Sequence, residues 1–443
     1  VELAQRVRAA AQPLRAPQDL DAVLARVGQA RFVLIGEATH GTSEFYRWRA
    51  ELTRRLIAER DFSFVGVEGD WPDCHRLHCC VVGAPGAPDD PAAALWTFDR
   101  WPRWMWANEE VVEFARWLRA VNTTGGRSGP PVGLHGLDVY SLWDSLRAVL
   151  DYLREHAPDQ VDTALRAYRC FEPYREDPQA YAFATRALPE TCEADVVRLL
   201  ADLRAPAHED ALPGLAPGFV ARQNAAVVAG AERYYREMVR GDSRSWNVRD
   251  HHMADTLDRL VSAYGAHAKA VVWAHNTHVG DARATDMAAA GLVNVGQLVR
   301  QRHADDGVVL VGFSTHRGSV VAADLWGGPV RRMVLPPARP DSVEALLHEA
   351  VPDADSLFVF GTGRGDGDGG EPGGDPAWAG RVRGHRAVGV VYRPASDLAR
   401  NYVPTALSRR YDVLVHCDHT EALNPLHAVE LARGEAETFP VGE

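Results

Sequence analysis

The sequence predicts an α/β protein: a central mixed, mostly parallel sheet flanked by helices, with a helical insertion covering the cleft at the strand carboxyl ends. Three observations predict it. Short apolar, β-branched runs such as Arg31–Ile35 (RFVLI) and Phe62–Val67 (FSFVGV) have the length and composition of strands buried on both faces. Amphipathic stretches of helical period separate them, as parallel strands joined by crossovers require. Several of these runs end in acidic residues or histidines, at the edge where open α/β sheets bind ligands.

Taken in order, residues before Arg31 read as amphipathic helix, broken at Ala16-Pro17. The first strand, Arg31–Ile35, ends at Gly36 and runs into Glu37, His40 and Gly41. Thr42 or Ser43 is then placed to cap a helix over Glu44–Glu59. The second strand, Phe62–Val67, repeats the arrangement and delivers Glu68. A Pro/Gly-rich loop, Ala84–Pro91, precedes a segment holding Trp96, Trp101, Trp104 and Trp106. That segment reads either as a core patch or as a wall for a large apolar ligand. The third strand, Pro130–Leu137, delivers His135 and Asp138. From Ser141 to about Leu260 the pattern becomes helical, with a Pro-rich break at Ala205–Pro217, and is read as the insertion (141–260) within a single domain spanning 1–443. Ala268–Ala274 then leads to His275 and His278, and Val308–Phe313, Leu357–Phe360, Ala387–Tyr392 and Val413–His416 complete the sheet. The Gly/Asp-rich stretch Gly361–Pro376 contains a literal GxGxxG, which its aspartates make unsuited to a pyrophosphate; it reads as a loop.

Composition narrows the function. A formal net charge of -12 argues against nucleic acid or an anionic membrane as the main partner. Lys269 is the only lysine, which removes a Walker A site. The six cysteines show no CxxC pair and read as reduced thiols of a cytoplasmic protein. The opening VELAQRVRAAAQPL has no apolar leader core, and no run approaches membrane-spanning length.

If the sheet is mostly parallel, Glu37, His40, Glu68, His135, Asp138, His275 and His278 meet at one edge. GxSxG and HExxH are absent, and no cysteine has the context of a nucleophile. Two chemistries remain open. A histidine oriented by carboxylates could activate water directly, with an arginine at the developing oxyanion; or the same donors could bind a metal that acidifies water.

The segments GEATHGTSEFYRWRAELTRRLI, VGVEGDWPD, RWPRWMWAN, GLHGLDVYSLW, RCFEPYREDPQAYA, SWNVRDHHMADTL, VVWAHNTHVGDARATDM and VGVVYRP, in this order, resemble the erythromycin esterase family over nearly the whole chain. The resemblance implies hydrolysis of a largely apolar macrolactone or other small-molecule ester, with no metal or other cofactor. It implies His40 as general base, Glu37 and Glu68 as companion carboxylates, and Arg49 and His275 as further catalytic groups. His278, Trp71, Trp104, Trp106, Asp138 and Tyr140 are the residues expected against substrate. The chain departs from the family pattern at Cys79-Cys80, Ala107 and His251, which implies a pocket retuned for another ligand. Three alternatives stand beside hydrolysis: a metal-dependent hydrolase, a natural-product tailoring enzyme using the same acid-base set for elimination, isomerisation or cyclisation, and a protein that sequesters its ligand.

Overall fold

A computed structural model of the chain describes residues 2–125, 129–174, 181, 183–185, 191–203, 215–239, 242–361 and 376–427. Most of the Gly/Asp-rich stretch and of the Pro-rich break lie outside them.

Eleven strands form among these residues: β1 Gln12–Pro13, β2 Phe32–Ile35, β3 Phe64–Val67, β4 Gly133–Gly136, β5 Ala270–Trp273, β6 Val308–Ala322, β7 Arg331–Leu335, β8 Ser356–Val359, β9 Val382–Arg386, β10 Tyr402–Ala406 and β11 Val413–Thr420. Nine make one sheet in the order β1-β8-β11-β6-β2-β5-β3-β4, with β7 alongside β6. The pairs β11/β6, β6/β2, β2/β5, β5/β3 and β3/β4 are parallel. Antiparallel pairing is confined to β8, β1 and β7. β9 and β10 form a separate antiparallel pair.

The side-chain alternation of each strand explains why helices cover both faces. Val33 and Ile35 of β2 and Val271 and Trp273 of β5 join Phe45, Leu52 and Leu56 of the helix Ser43–Arg60 in one core. Phe32, Leu34 and Val272 point the other way, onto Met253, Leu257 and Leu260 of the helix Asp242–Tyr264. All four residues of β2 are fully enclosed. Each such side chain contributes about 1.5–3 kcal/mol, which outweighs the few tenths separating helix from strand propensity.

Between β4 and β5 every described element is helical. Leu146, Val149, Ala164, Phe171, Leu199, Val228 and Tyr235 build a core of their own there. The helix Asp242–Tyr264 leaves that core at Val248 and docks on the sheet from Met253 onward.

Three expectations are corrected. Ala387–Tyr392 is not a sheet strand: only Val388 and Val391 make isolated bridges, to Thr39 and Ala323, and Val388 N–H donates to the Ala38 carbonyl at 2.8 Å. The segment therefore braces the turn after β2. Thr42 sits at the cap position of the helix Ser43–Arg60, but its hydroxyl bonds that of Thr39 instead of a helix N–H, closing the turn on itself. Finally, the cysteines are not all thiols. Cys170 and Cys192 form a disulfide within the helical region, leaving Cys74, Cys79, Cys80 and Cys417 free. Their sequence separation of 22 gave no pairing signal; the packing of two helices brings them together.

Candidate active site

β2, β5 and β3 are neighbours in the sheet and run the same way, so their carboxyl ends deliver the turns that follow them to one place. Two of those turns are locked together. Asn276 N–H donates to the Glu37 carbonyl at 2.8 Å, and the Asn276 amide spans to Phe313 of β6, giving to its carbonyl and accepting from its N–H. Gly36 allows that approach, since a Cβ there would lie 2.2 Å from Asn276 Oδ1. Gly41 is constrained harder: its Cβ would sit 1.9 Å from the Val321 carbonyl oxygen. The glycines of GEATHG are thus required by backbone and side chain pressed against them.

Within this frame Glu37 Oε1 accepts from His40 Nδ1 at 2.8 Å. That bond fixes the proton on Nδ1 and leaves Nε2 as the basic atom. Behind Glu37, Arg49 Nη2 lies 3.0 Å from Oε2. Arg49 is wholly enclosed, its guanidinium carbon 4.3, 5.1 and 5.9 Å from the ring centres of Tyr46, Trp273 and Trp106. The His40 ring faces that of His275 with centroids 4.7 Å apart. His275 Nδ1 receives the Thr277 backbone N–H at 3.3 Å, and the Thr277 hydroxyl stands 2.8 Å from it. Burial, and then the nearby His40, push the His275 imidazole well below the usual histidine range, so it is neutral.

Glu68 is the anionic member. Its Oε2 accepts the His275 backbone N–H at 2.7 Å; its Oε1 accepts from Arg249 Nη2 at 2.8 Å and faces His278 Nε2 at 3.3 Å. Burial alone would raise this carboxyl, but the charges of His278 and Arg249 outweigh it and hold the group well below the ordinary range. Arg249 also grips Asp138 through Nε and Nη2 at 2.9 and 2.7 Å, and that contact depresses Asp138 despite its burial. His278 Nδ1 is held by Asp250 at 2.9 and 3.0 Å, and Trp246 stacks on the ring.

The expected residues divide accordingly. His40, Glu37, Arg49, Glu68, His275 and His278 come together, and Asp138 stands one contact behind Glu68. Tyr140 lies further back, fully buried under the Arg249 and Arg100 guanidiniums and bonded to Tyr234. Trp106 lines the opening, and its ring N–H donates to the Glu68 carbonyl at 3.0 Å. Trp104 and Trp71 are not brought to the opening. Trp104 is enclosed in the core, and Trp71, also buried, stacks on His75 and on His135. His135, also expected at the edge, bonds the Tyr264 hydroxyl at 2.8 Å within that stack. It lies on β4 itself, whereas the groups that meet lie beyond their strand ends.

Arg249, Asp250 and Trp246 were not singled out from the sequence. The signal was present: in SWNVRDHHM, Trp246, Arg249, Asp250 and Met253 recur at helical spacing, putting two charges on the buried stripe of a helix. The three departures from the family pattern do not line the opening. Cys79 faces His75 at 3.7 Å, Ala107 is buried beneath Leu426, and His251 is exposed near Arg302.

The opening beside Glu68 is a cleft of about 20 Å³ lined by Asp70, Asp73, Phe98, Arg100, Met105 and Trp106, and by neither His40 nor His275. That volume holds one water. His40 and Glu68 are each only 4% exposed. Arg100 and the Ser141 hydroxyl both bond Asp70, tying the tryptophan-rich segment to the start of the helical region. Burial and the neighbouring Asp70 push the Asp73 carboxyl up to about 7. A groove of about 450 Å³ along Trp48 and Glu51 shares no residue with this site. Among the described residues, no three histidine, cysteine or acidic side chains converge as a metal-binding group.

The model of the family named erythromycin esterase matches residues 57–420. The chain belongs to the erythromycin esterase family. Membership of this family supports a hydrolase acting on esters. Three solved structures share the fold. A succinoglycan biosynthesis protein has 20% identity and a TM-score of 0.75, covering 96% of this chain and 98% of its own. A protein from Bacillus cereus has 18% identity and a TM-score of 0.75, covering 96% and 99%. A mutant erythromycin esterase, EreC, in its open conformation, has 18% identity and a TM-score of 0.67, covering 94% and 97%. Among the described residues, no helix of this family member is long and apolar enough to cross a membrane.

Proposed function

We propose that the protein hydrolyses a small-molecule ester or lactone with water activated by His40. The observation that carries this reading is the 2.8 Å contact between Glu37 and His40 Nδ1, which leaves Nε2 as a base beside neutral His275 and anionic Glu68. In the reaction, Nε2 takes a proton from water while the oxygen adds to the ester carbonyl. The imidazolium so formed is stabilised by Glu37, and it returns the proton to the departing alkoxide as the carbon–oxygen bond breaks. Arg49 acts on Glu37, not on the substrate, since it lies behind that carboxylate with no exposure.

Membership of the erythromycin esterase family supports a largely apolar ester of the macrolide class as substrate.

His40→Ala tests the mechanism. Turnover against a panel of lactones and esters should fall by roughly 10²–10⁴-fold with the circular dichroism unchanged. Product from the unaltered protein should carry ¹⁸O from labelled water. Full activity in the variant, or an unlabelled product, would overturn the proposal.

A further inference from the structure

His278 lies between two carboxylates, one at each ring nitrogen. Nδ1 is 2.9 and 3.0 Å from the oxygens of Asp250, and Nε2 is 3.3 Å from Glu68 Oε1. Both carboxylates are already collecting donors. Asp250 Oδ1 accepts the Val295 backbone N–H at 2.9 Å, and Glu68 accepts from Arg249 and from the His275 backbone. Donors aimed at these oxygens favour the anions. A neutral imidazole has one donor and one acceptor nitrogen, so it would present a lone pair to one anion; only the imidazolium turns an N–H toward both, a hydrogen bond to Asp250 and an ion-pair contact to Glu68. The face of the ring points the same way. Trp246 lies parallel to it, centroids 4.4 Å apart and planes 10° apart, the stacking that favours a cation over an indole.

We propose that Asp250 and Trp246 maintain His278 as a standing imidazolium whose task is to hold Glu68 as an anion, making Asp250 a positioning residue that acts through His278. The inference rests on the hydrolase reading for its consequence but not for its geometry. The charged and titratable groups around His278 are Asp250 and Arg249 on its own packing helix, Glu68 after β3, and His40 and His275 on the adjoining turns. Burial opposes a charge on the ring, yet Asp250 and Glu68 together raise it to about 10. Held this way, Glu68 keeps one oxygen on the His275 backbone N–H, and so keeps the His275 ring against His40. The same helix therefore supplies both cationic supports of Glu68: Arg249 directly, and His278 through Asp250.

The test uses the full chain labelled with ¹⁵N-histidine. Long-range proton–nitrogen spectra should show both His278 ring nitrogens protonated at about pH 8, the signal being assigned by its loss in His278→Asn. In Asp250→Asn the deprotonation midpoint should fall by more than about two units, so that the same ring carries one bare nitrogen at that pH. The alkaline limb of kcat for ester hydrolysis should move down with it while KM stays within about twofold. Trp246→Phe, which keeps an aromatic ring over His278 but loses the indole N–H bond to the Val293 carbonyl, should lower the midpoint by a smaller step. A bare ring nitrogen on His278 in the unaltered protein, or an imidazolium that persists in Asp250→Asn, would overturn the proposal. The spectra need no turnover: failure to find a hydrolysed ester would count against the hydrolase reading alone.

Discussion

Replacing Arg249 with methionine isolates what one buried cation does for the fold. Arg249 is 2% exposed and gives hydrogen bonds to Asp138 at 2.9 and 2.7 Å and to Glu68 at 2.8 Å. Removing it leaves two enclosed carboxylates facing each other without their shared partner, a loss of about 3–5 kcal/mol. An exposed pair would lose under about 1 kcal/mol, so the two cases are well separated. For 443 residues at about 2.1 cal/mol/K each, the unfolding entropy is roughly 0.9 kcal/mol/K, and the loss translates to a Tm lower by about 3–5 °C. The deficit should shrink on moving from neutral to mildly acid pH, because the stranded Asp138 and Glu68 then take up protons. Asp138→Asn in the same chain should recover part of it. Differential scanning calorimetry at both pH values measures each number. A Tm unchanged within about 1 °C at neutral pH would refute the argument that this arginine neutralises a buried anion pair.

Three further outcomes follow from the structure. Counting thiols in the denatured, unreduced protein should give the four free cysteines Cys74, Cys79, Cys80 and Cys417. Cys170→Ser should lower stability by about 3 kcal/mol through the loop it opens, and an unchanged Tm would remove the bridge from the fold's energetics. Stability should also peak near pH 6.5. His75, His252 and His385 are depressed to about 4, 3 and 3, chiefly by burial, so the unfolded chain binds protons first as pH falls below 6.5, and stability is lost from there down toward those values. His278 is raised to about 10; its contribution is complete below 6.5 and lost as pH climbs through 10. Thermal melts across pH 4–10 check this sign, and a stability still rising below pH 6 would contradict it.

Much of the fold was legible because buried parallel strands leave a local mark. The runs RFVLI, FSFVGV and AKAVVWA are apolar but for one residue each, and each is followed within a few residues by the side chain it delivers. β7, β9 and β10 left no such mark: RRMVL is largely exposed, VRGHR buries the polar His385 and Arg386, and YVPTA is interrupted by Pro404. Ala387–Tyr392 misled for the converse reason. It is apolar because it is buried against the turn after β2, not because it pairs along its length.

By itself, then, the order of residues determined which groups arrive at the sheet edge: Glu37 and His40, Glu68, His275 and His278. Their position follows from chain connectivity over a few bonds beyond a strand. Tertiary structure alone decided what each of them is. Arg49 became the support of Glu37, Trp71 and Trp104 became core, and Arg249, Asp250 and Trp246 became the charge setting of Glu68 and His278. The physical reason is that protonation state and exposure depend on every charge and ring within a few ångströms, and those neighbours come from other elements, as far as 181 residues along the chain for Arg249 and Glu68.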